Sequence, residues 1–147
     1  MRFNIVAALI VAASTQSAQA QSSSVSIVCE GVANTTEAVG FTENNQVLTA
    51  PRSNPAAVFF KLKDGQAQIK LPSTLWRSKG DGWFAVTDLE VSSDAIKGRV
   101  PLATFTKPRL QIDRLNGTID MSSSSYMGSS FRFSGSCKPF DESARRF

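Results

Sequence analysis

After residue 20, apolar and polar side chains alternate with a period of two, and short clusters of Gly, Asn, Asp, Ser and Pro interrupt them. Successive side chains on a strand point to opposite faces, so the pattern predicts half-buried β-strands joined by tight turns. The clearest hairpin runs from Val58 to Leu71. Asp64-Gly65 supplies the two positive-φ residues of a type I′ turn. Pairing outward from that turn sets Leu62 against Ala67, Phe60 against Ile69 and Val58 against Leu71 on one face. On the other face Lys61 meets Gln68 and Phe59 meets Lys70. Turn chemistry and hydrophobic pattern thus agree on one register.

A second hairpin, Trp83 to Val100 with its turn at Ser93-Asp94, pairs Val91 with Ile96, Glu90 with Lys97 and Asp88 with Arg99. It places Trp83, Ala85, Leu89 and Val91 on the inner face. A third, Leu110 to Met121 around Asn116-Gly117, sets Ile112 opposite Met121. The same register opposes Asp113 to Asp120, which is unfavourable unless an Arg compensates or a different turn shifts the pairing. Asn34 to Pro55 reads as broken by Pro51, Asn54 and Pro55, with a short strand at Gln46 to Thr49. Ser122 to Ser130 reads as a loop, and 141–147 as a charged tail.

The two ends of the domain complete the scheme. Val25, Ile27 and Cys29 share one face, as do Phe131, Phe133 and Cys137, with Arg132, Ser134 and Ser136 opposite. Each cysteine lies on the apolar face of its strand, so the first and last strands are expected side by side. The expected fold is all-β: a small antiparallel meander barrel of about eight strands with no free edge. The same strands also suit a two-sheet β-sandwich. The outward positions hold Lys61, Lys63, Lys70, Glu90, Lys97 and Arg99, which excludes a barrel whose outside faces lipid.

The N-terminus changes the picture of where this domain resides. Met1 to Asn4 carries one cation, Ile5 to Ala13 is apolar, and Ser14 to Ala20 turns polar and ends Ala18-Gln19-Ala20. These are the three regions of a cleaved secretory signal peptide, residues 1–20, leaving one β domain over 21–147. The apolar run is too short to span a membrane, and no other transmembrane segment is expected in the mature chain. An even count of two cysteines in an exported chain reads as a disulfide, Cys29 to Cys137, in preference to two buried thiols. Basic side chains number 16 and acidic ones 12, a net charge of +4 that falls to +3 when Arg2 leaves. That excess is too small and scattered for a nucleic-acid partner.

Candidate chemistry is narrow. The chain has no histidine. Ser-His-Asp and Cys-His catalysis and His-ligated zinc are therefore excluded, and no cofactor or metal set is expected. A carboxylate-only enzyme would have to use Asp88 and Glu90, side by side on one strand face. Their cross-strand cations Arg99 and Lys97 give them a plainer role as ion pairs. The most site-like segment is Trp76 to Trp83, where Trp76, Arg77, Lys79 and Trp83 combine aromatics and cations in a Gly-bearing loop. Aromatic and Arg residues are favoured at binding surfaces. Trp83 is expected to begin a strand and point inward. That leaves Trp76 either capping one barrel end or touching a partner. Lys61, Lys63 and Lys70 gather on the outer face of the first hairpin, as a solvated face or an anion-contacting patch.

Ile112-Asp113-Arg114-Leu115-Asn116-Gly117, followed by Gly135-Ser136-Cys137 and Phe147, resembles the C-terminal pattern of a family of small exported bacterial β proteins of no assigned activity. The resemblance covers about a third of the chain. It implies a periplasmic or secreted bacterial location and carries no catalytic residue across. The expectation is a non-enzymatic exported protein. One form is a carrier holding a small apolar ligand near Phe60, Leu62, Trp83, Leu89, Phe131 and Phe133. The other is an envelope interaction module or inhibitor with a packed interior, acting through the Trp76–Gly82 loop.

Overall fold

The computed structural model describes residues 24–75, 80–102, 107–124 and 130–141. Residues 1–20, read from the sequence as a signal peptide, lie outside them. Nine antiparallel strands form one sheet: β1 (Val25–Phe41), β2 (Val47–Lys63), β3 (Gln66–Lys70), β4 (Trp83–Ala85), β5 (Thr87–Val91), β6 (Ala95–Arg99), β7 (Arg109–Asp113), β8 (Thr118–Ser124) and β9 (Ser130–Pro139). Their spatial order is β4-β3-β2-β1-β9-β8-β7-β6-β5. β4 and β5 stand at opposite ends of that order, yet only Val86 separates them along the chain. A single stretch of backbone therefore pairs with β3 at one end and with β6 at the other. The sheet rolls into a nearly closed barrel instead of splitting into a sandwich. The count is nine because Val86 interrupts what the sequence reads as one strand. The Val86 N–H still donates to the Ala67 carbonyl at 2.9 Å.

Inward residues from both ends of the chain meet in one core. Phe60, Phe133, Ile69, Met121, Val58 and Val100 have no exposed surface at all. Leu89 and Phe131 are partly buried against them. The Cys29–Cys137 disulfide joins β1 to β9 directly across the ladder. No helix among the described residues is long and apolar enough to cross a membrane. The disulfide is compatible with an extracytoplasmic location.

The first hairpin has the expected register, from Lys63–Gln66 to Phe59–Lys70, with Asp64 at φ 51° and Gly65 at φ 75°. The other two differ in instructive ways. In the second, Val91–Ile96 and Glu90–Lys97 pair as expected, but the ladder slips between Thr87 and Glu90, and Thr87 faces Arg99. Asp88 takes a left-handed φ of 50° there. The slip changes which residues point in. Phe84, Val86 and Leu89 pack on the core, whereas Ala85 is exposed; Val91, beyond the slip and opposite buried Ile96, keeps its expected face but is 50% exposed at the strand's end.

In the third hairpin Ile112 faces Ile119, not Met121, and Asp113 faces Thr118. The turn is longer than Asn116-Gly117 because Asp113 caps it. Its Oδ1 accepts from the N–H groups of Leu115 and Asn116, both at 2.9 Å, and its Oδ2 accepts from Asn116 Nδ2 at 2.8 Å. The shift also removes the Asp113–Asp120 opposition. Asp120 instead binds the Arg132 guanidinium on β9, at 2.8 Å.

Hydrogen bonds from Asn116, backbone first and then side chain, hold the Asp113 carboxyl below its ordinary value, with Leu115 adding to them. A carboxyl lowered in the folded state contributes stability that is full above its unfolded pKa of about 3.9 and lost as pH falls through the folded value. Asp113→Ala is therefore expected to melt below wild type at neutral pH, with the gap closing below about pH 4. A gap that persists unchanged at pH 2 would contradict this.

The largest departure is Asn34 to Pro55. It is not a broken stretch but most of a long two-stranded ribbon, β1 against β2, closed by a turn in which Thr42 N–H donates to the Gln46 carbonyl at 2.8 Å. The prolines fit for a positional reason. Cys29 and Cys137 face each other at a Cα–Cα distance of 4.0 Å, the short spacing of a pair that exchanges no backbone hydrogen bonds. Cys29 therefore turns its N–H and C=O toward Val58, its partner on β2. Even-numbered residues of β2 bond β1, and odd-numbered ones, Pro51 and Pro55 included, face away. On that side β3 covers only Phe59 to Lys63. Neither proline costs a ladder bond, and both blunt the one long free edge of β2. Ser122 to Ser124, expected in a loop, extend β8.

Candidate functional site

Phe59 and Phe60 are adjacent in one strand, so they must point to opposite sides. Phe60 is in the core, and Phe59 lies on the barrel exterior, half-buried. The register carries a row outward from it across five strands: Lys138 on β9, Val28 on β1, Phe59 on β2, Lys70 on β3 and Trp83 on β4. Val28 is only 7% exposed although it is not part of the core cluster. The Phe140 ring meets Phe59 edge-on at 5.3 Å, and the Phe140 N–H donates to the Ser26 carbonyl at 2.9 Å. A small apolar layer thus lies on the outside of the sheet.

Trp83 sits at the end of this row. The sequence pattern points it inward; the structure places it on the outer face, and Phe84 takes the inward position opposite Ile69. The Asp81 carboxylate accepts from the Trp83 N–H at 3.0 Å, and Gly82 accepts from the Leu71 N–H at 3.0 Å, which fixes where the strand begins. Lys61 Nζ lies 4.7 Å and Lys70 Nζ 5.9 Å from the indole centroid. Both are within the ~6 Å reach of a cation–π contact, worth about 0.5–1 kcal/mol at exposed sites, and the nearer Lys61 contributes more. The neighbouring acid Glu30 is held by Lys138 at 3.2 Å.

Two features that are distant in sequence, the lysine face and the end of the Trp-bearing loop, are therefore one surface. Trp76, Arg77 and Lys79 lie outside the described residues. Phe59, Phe140 and Val28 escape a reading that follows the core face alone. Their signal is the pair of adjacent aromatics, Phe59-Phe60, since one of the two has to face out.

Asp88 and Glu90 each stand beside a cation of the neighbouring strand. The slip at Asp88 breaks the alternation, and Asp88 Oδ2 sits 3.3 Å from Arg99 Nε with both side chains substantially exposed. Glu90 stands opposite Lys97. Among the described residues no group of three or more acidic or Cys side chains could hold a metal ion. The Lys61–Lys70–Trp83 surface offers two ammonium groups beside one aromatic ring. No protein-family model matches the chain, and no curated protein and no solved structure matches it.

Proposed function

We propose that this is an exported bacterial, non-enzymatic binding protein that contacts an anionic partner through the outer face of β2, β3 and β4. The convergence of Lys61 and Lys70 on the Trp83 ring carries the reading. Both ammonium groups lie within about 6 Å of one half-buried indole, which favours a partner bearing more than one negative charge. The interior supports an outward-acting role over a carrier. Phe60, Phe133 and Leu62 keep little or no surface open to a ligand, while Leu89 and Phe131, also expected beside one, are partly buried. The export pattern at residues 1–20 and the disulfide favour a periplasmic or secreted setting.

The test is binding of wild type, Lys61→Glu/Lys70→Glu and Trp83→Ala to two probes: dextran sulfate and vesicles containing phosphatidylglycerol. The charge-reversed variant is expected to bind at least ~10-fold more weakly, a difference of about 1.4 kcal/mol. Wild-type affinity should fall with added salt. Preference for one probe identifies a polymer or a lipid headgroup as the source of charge. Equal binding by wild type and the charge-reversed variant on both probes would refute the reading.

A further inference from the structure

The β1–β2 ribbon collects the chain's exposed apolar side chains. Among the described residues seven large hydrophobics are exposed, and Val32, Val39, Phe41, Val47 and Leu48 of this ribbon are five of them. The pairings sort them by face. Val32 opposite Pro55, Thr36 opposite Pro51 and Phe41 opposite Val47 lie on the outer face, which is continuous with the Phe59 and Lys61 end, whereas Leu48 opposite Gly40 and the bulged Val39 fall on the other face. That face has three zones. The turn end is apolar and carries Glu43. The middle is uncharged, with Asn34 and Ser53 between the prolines and Val32. The far end carries Lys61, Lys63 and Phe59, with Phe140 packed edge-on against Phe59 and Glu30 neutralised by Lys138.

We propose that two copies of this chain associate through this face in an antiparallel, two-fold arrangement. With the axis near Ser53, Pro51 meets Pro55 of the second copy, Val47 meets its Phe59, and the turn bearing Glu43 lies beside its Lys61 and Lys63. Each zone then meets its complement: acid meets lysine, apolar meets aromatic, and neutral meets neutral. Joining edge to edge along β2 is disfavoured, because Pro51 and Pro55 remove donors from its open edge. The face spans roughly 45 Å at about 3.3 Å per residue and is two strands, about 10 Å, wide. That is near half of the ~800 Å² per partner of a standard interface, which suits a weak dimer. The contact covers part of the proposed anion-binding surface, so it would compete with that partner, but it does not require it.

Sedimentation velocity on the full, disulfide-intact chain between ~5 and ~500 μM tests the proposal. The expected result is a shift from monomer to dimer. Phe41→Asp/Val47→Asp is expected to weaken dimerisation at least ~10-fold while leaving the far-UV spectrum unchanged, and dextran sulfate binding unchanged at concentrations where wild type is monomeric. Glu43→Lys and Lys63→Glu should each weaken it, and the two together should restore it. This charge exchange keeps the test decisive if the apolar double variant fails to fold. A monomer at every concentration overturns the proposal. So does a dimer insensitive to Phe41 and Val47, a charge exchange without rescue, or growth into filaments, because a two-fold contact closes. A monomer that instead binds anionic vesicles through Phe41 also overturns it, in favour of a membrane contact. Loss of anion binding with dimerisation intact would count against the proposed function alone.

Discussion

Gly31→Ala is expected to lower stability by about 3 kcal/mol or more, at the top of the range for overpacking. Gly31 on β1 faces Gly135 on β9. A Cβ at Gly31 would lie 2.0 Å from the Ser134 carbonyl oxygen and 2.5 Å from Gly135 Cα. A Cβ at Gly135 would meet the Glu30 carbonyl oxygen at 2.5 Å. All of these atoms are backbone, so no flexible side chain can move aside. Relief requires parting β1 from β9 next to the disulfide. For a domain of this size the loss corresponds to a drop in melting temperature of roughly 10 °C. Gly40 is the control: nothing lies within 4 Å of a Cβ there. Gly40→Ala should melt within about 2 °C of wild type, as surface substitutions usually do. Equal melting of the Gly31 and Gly40 variants would show that the seam is looser than its geometry.

Much of the barrel was legible because local and global signals coincide in some segments. In Val58 to Leu71 the Asp64-Gly65 turn and the alternation of Phe60, Leu62, Ala67 and Ile69 specify the same register. The alternation of Ile27 with Cys29 and of Phe133 with Cys137 brings the termini together in the same way. Legibility fails where one residue breaks the count. The left-handed Asp88 slips its strand, so extrapolating inward positions back from Val91 gives the wrong face for Ala85 and Trp83. Asp113 lengthens a turn that Asn116-Gly117 advertises as tight, because three hydrogen bonds to one carboxylate outweigh the preference of a two-residue loop. Pro51 and Pro55 read as strand breakers because the sequence does not reveal which edge of β2 lies open. The outer lysine–Trp83 face was half visible. Its lysines stand at alternate positions, but Trp83 joins them only once β4 is known to start there.

Loss of the disulfide is the other large effect expected. Every neighbouring pair in the sheet but one joins strands consecutive in the chain; the exception is β1 with β9. That pairing closes the longest loop, and Cys29 and Cys137, 108 residues apart, staple it. In the chain-entropy model a loop of about 100 residues is worth ~4.7 kcal/mol, and measured native bonds deliver about 2–4. Against the ~5–15 kcal/mol that holds a typical domain, this is a large share. The Cys29→Ala/Cys137→Ala variant, or wild type under reducing conditions, should therefore unfold at a clearly lower urea concentration. The urea slope is set by surface exposed on unfolding, and a more expanded unfolded chain without the cross-link should raise it slightly. Hydrogen exchange should report the change first in β1 and β9. The hairpins β2–β3 and β7–β8, closed by their own turns, should hold longest. If reduction leaves the urea midpoint unmoved, β1 and β9 are held by their ladder and side chains alone, and the bond between them adds nothing to the closure of the barrel.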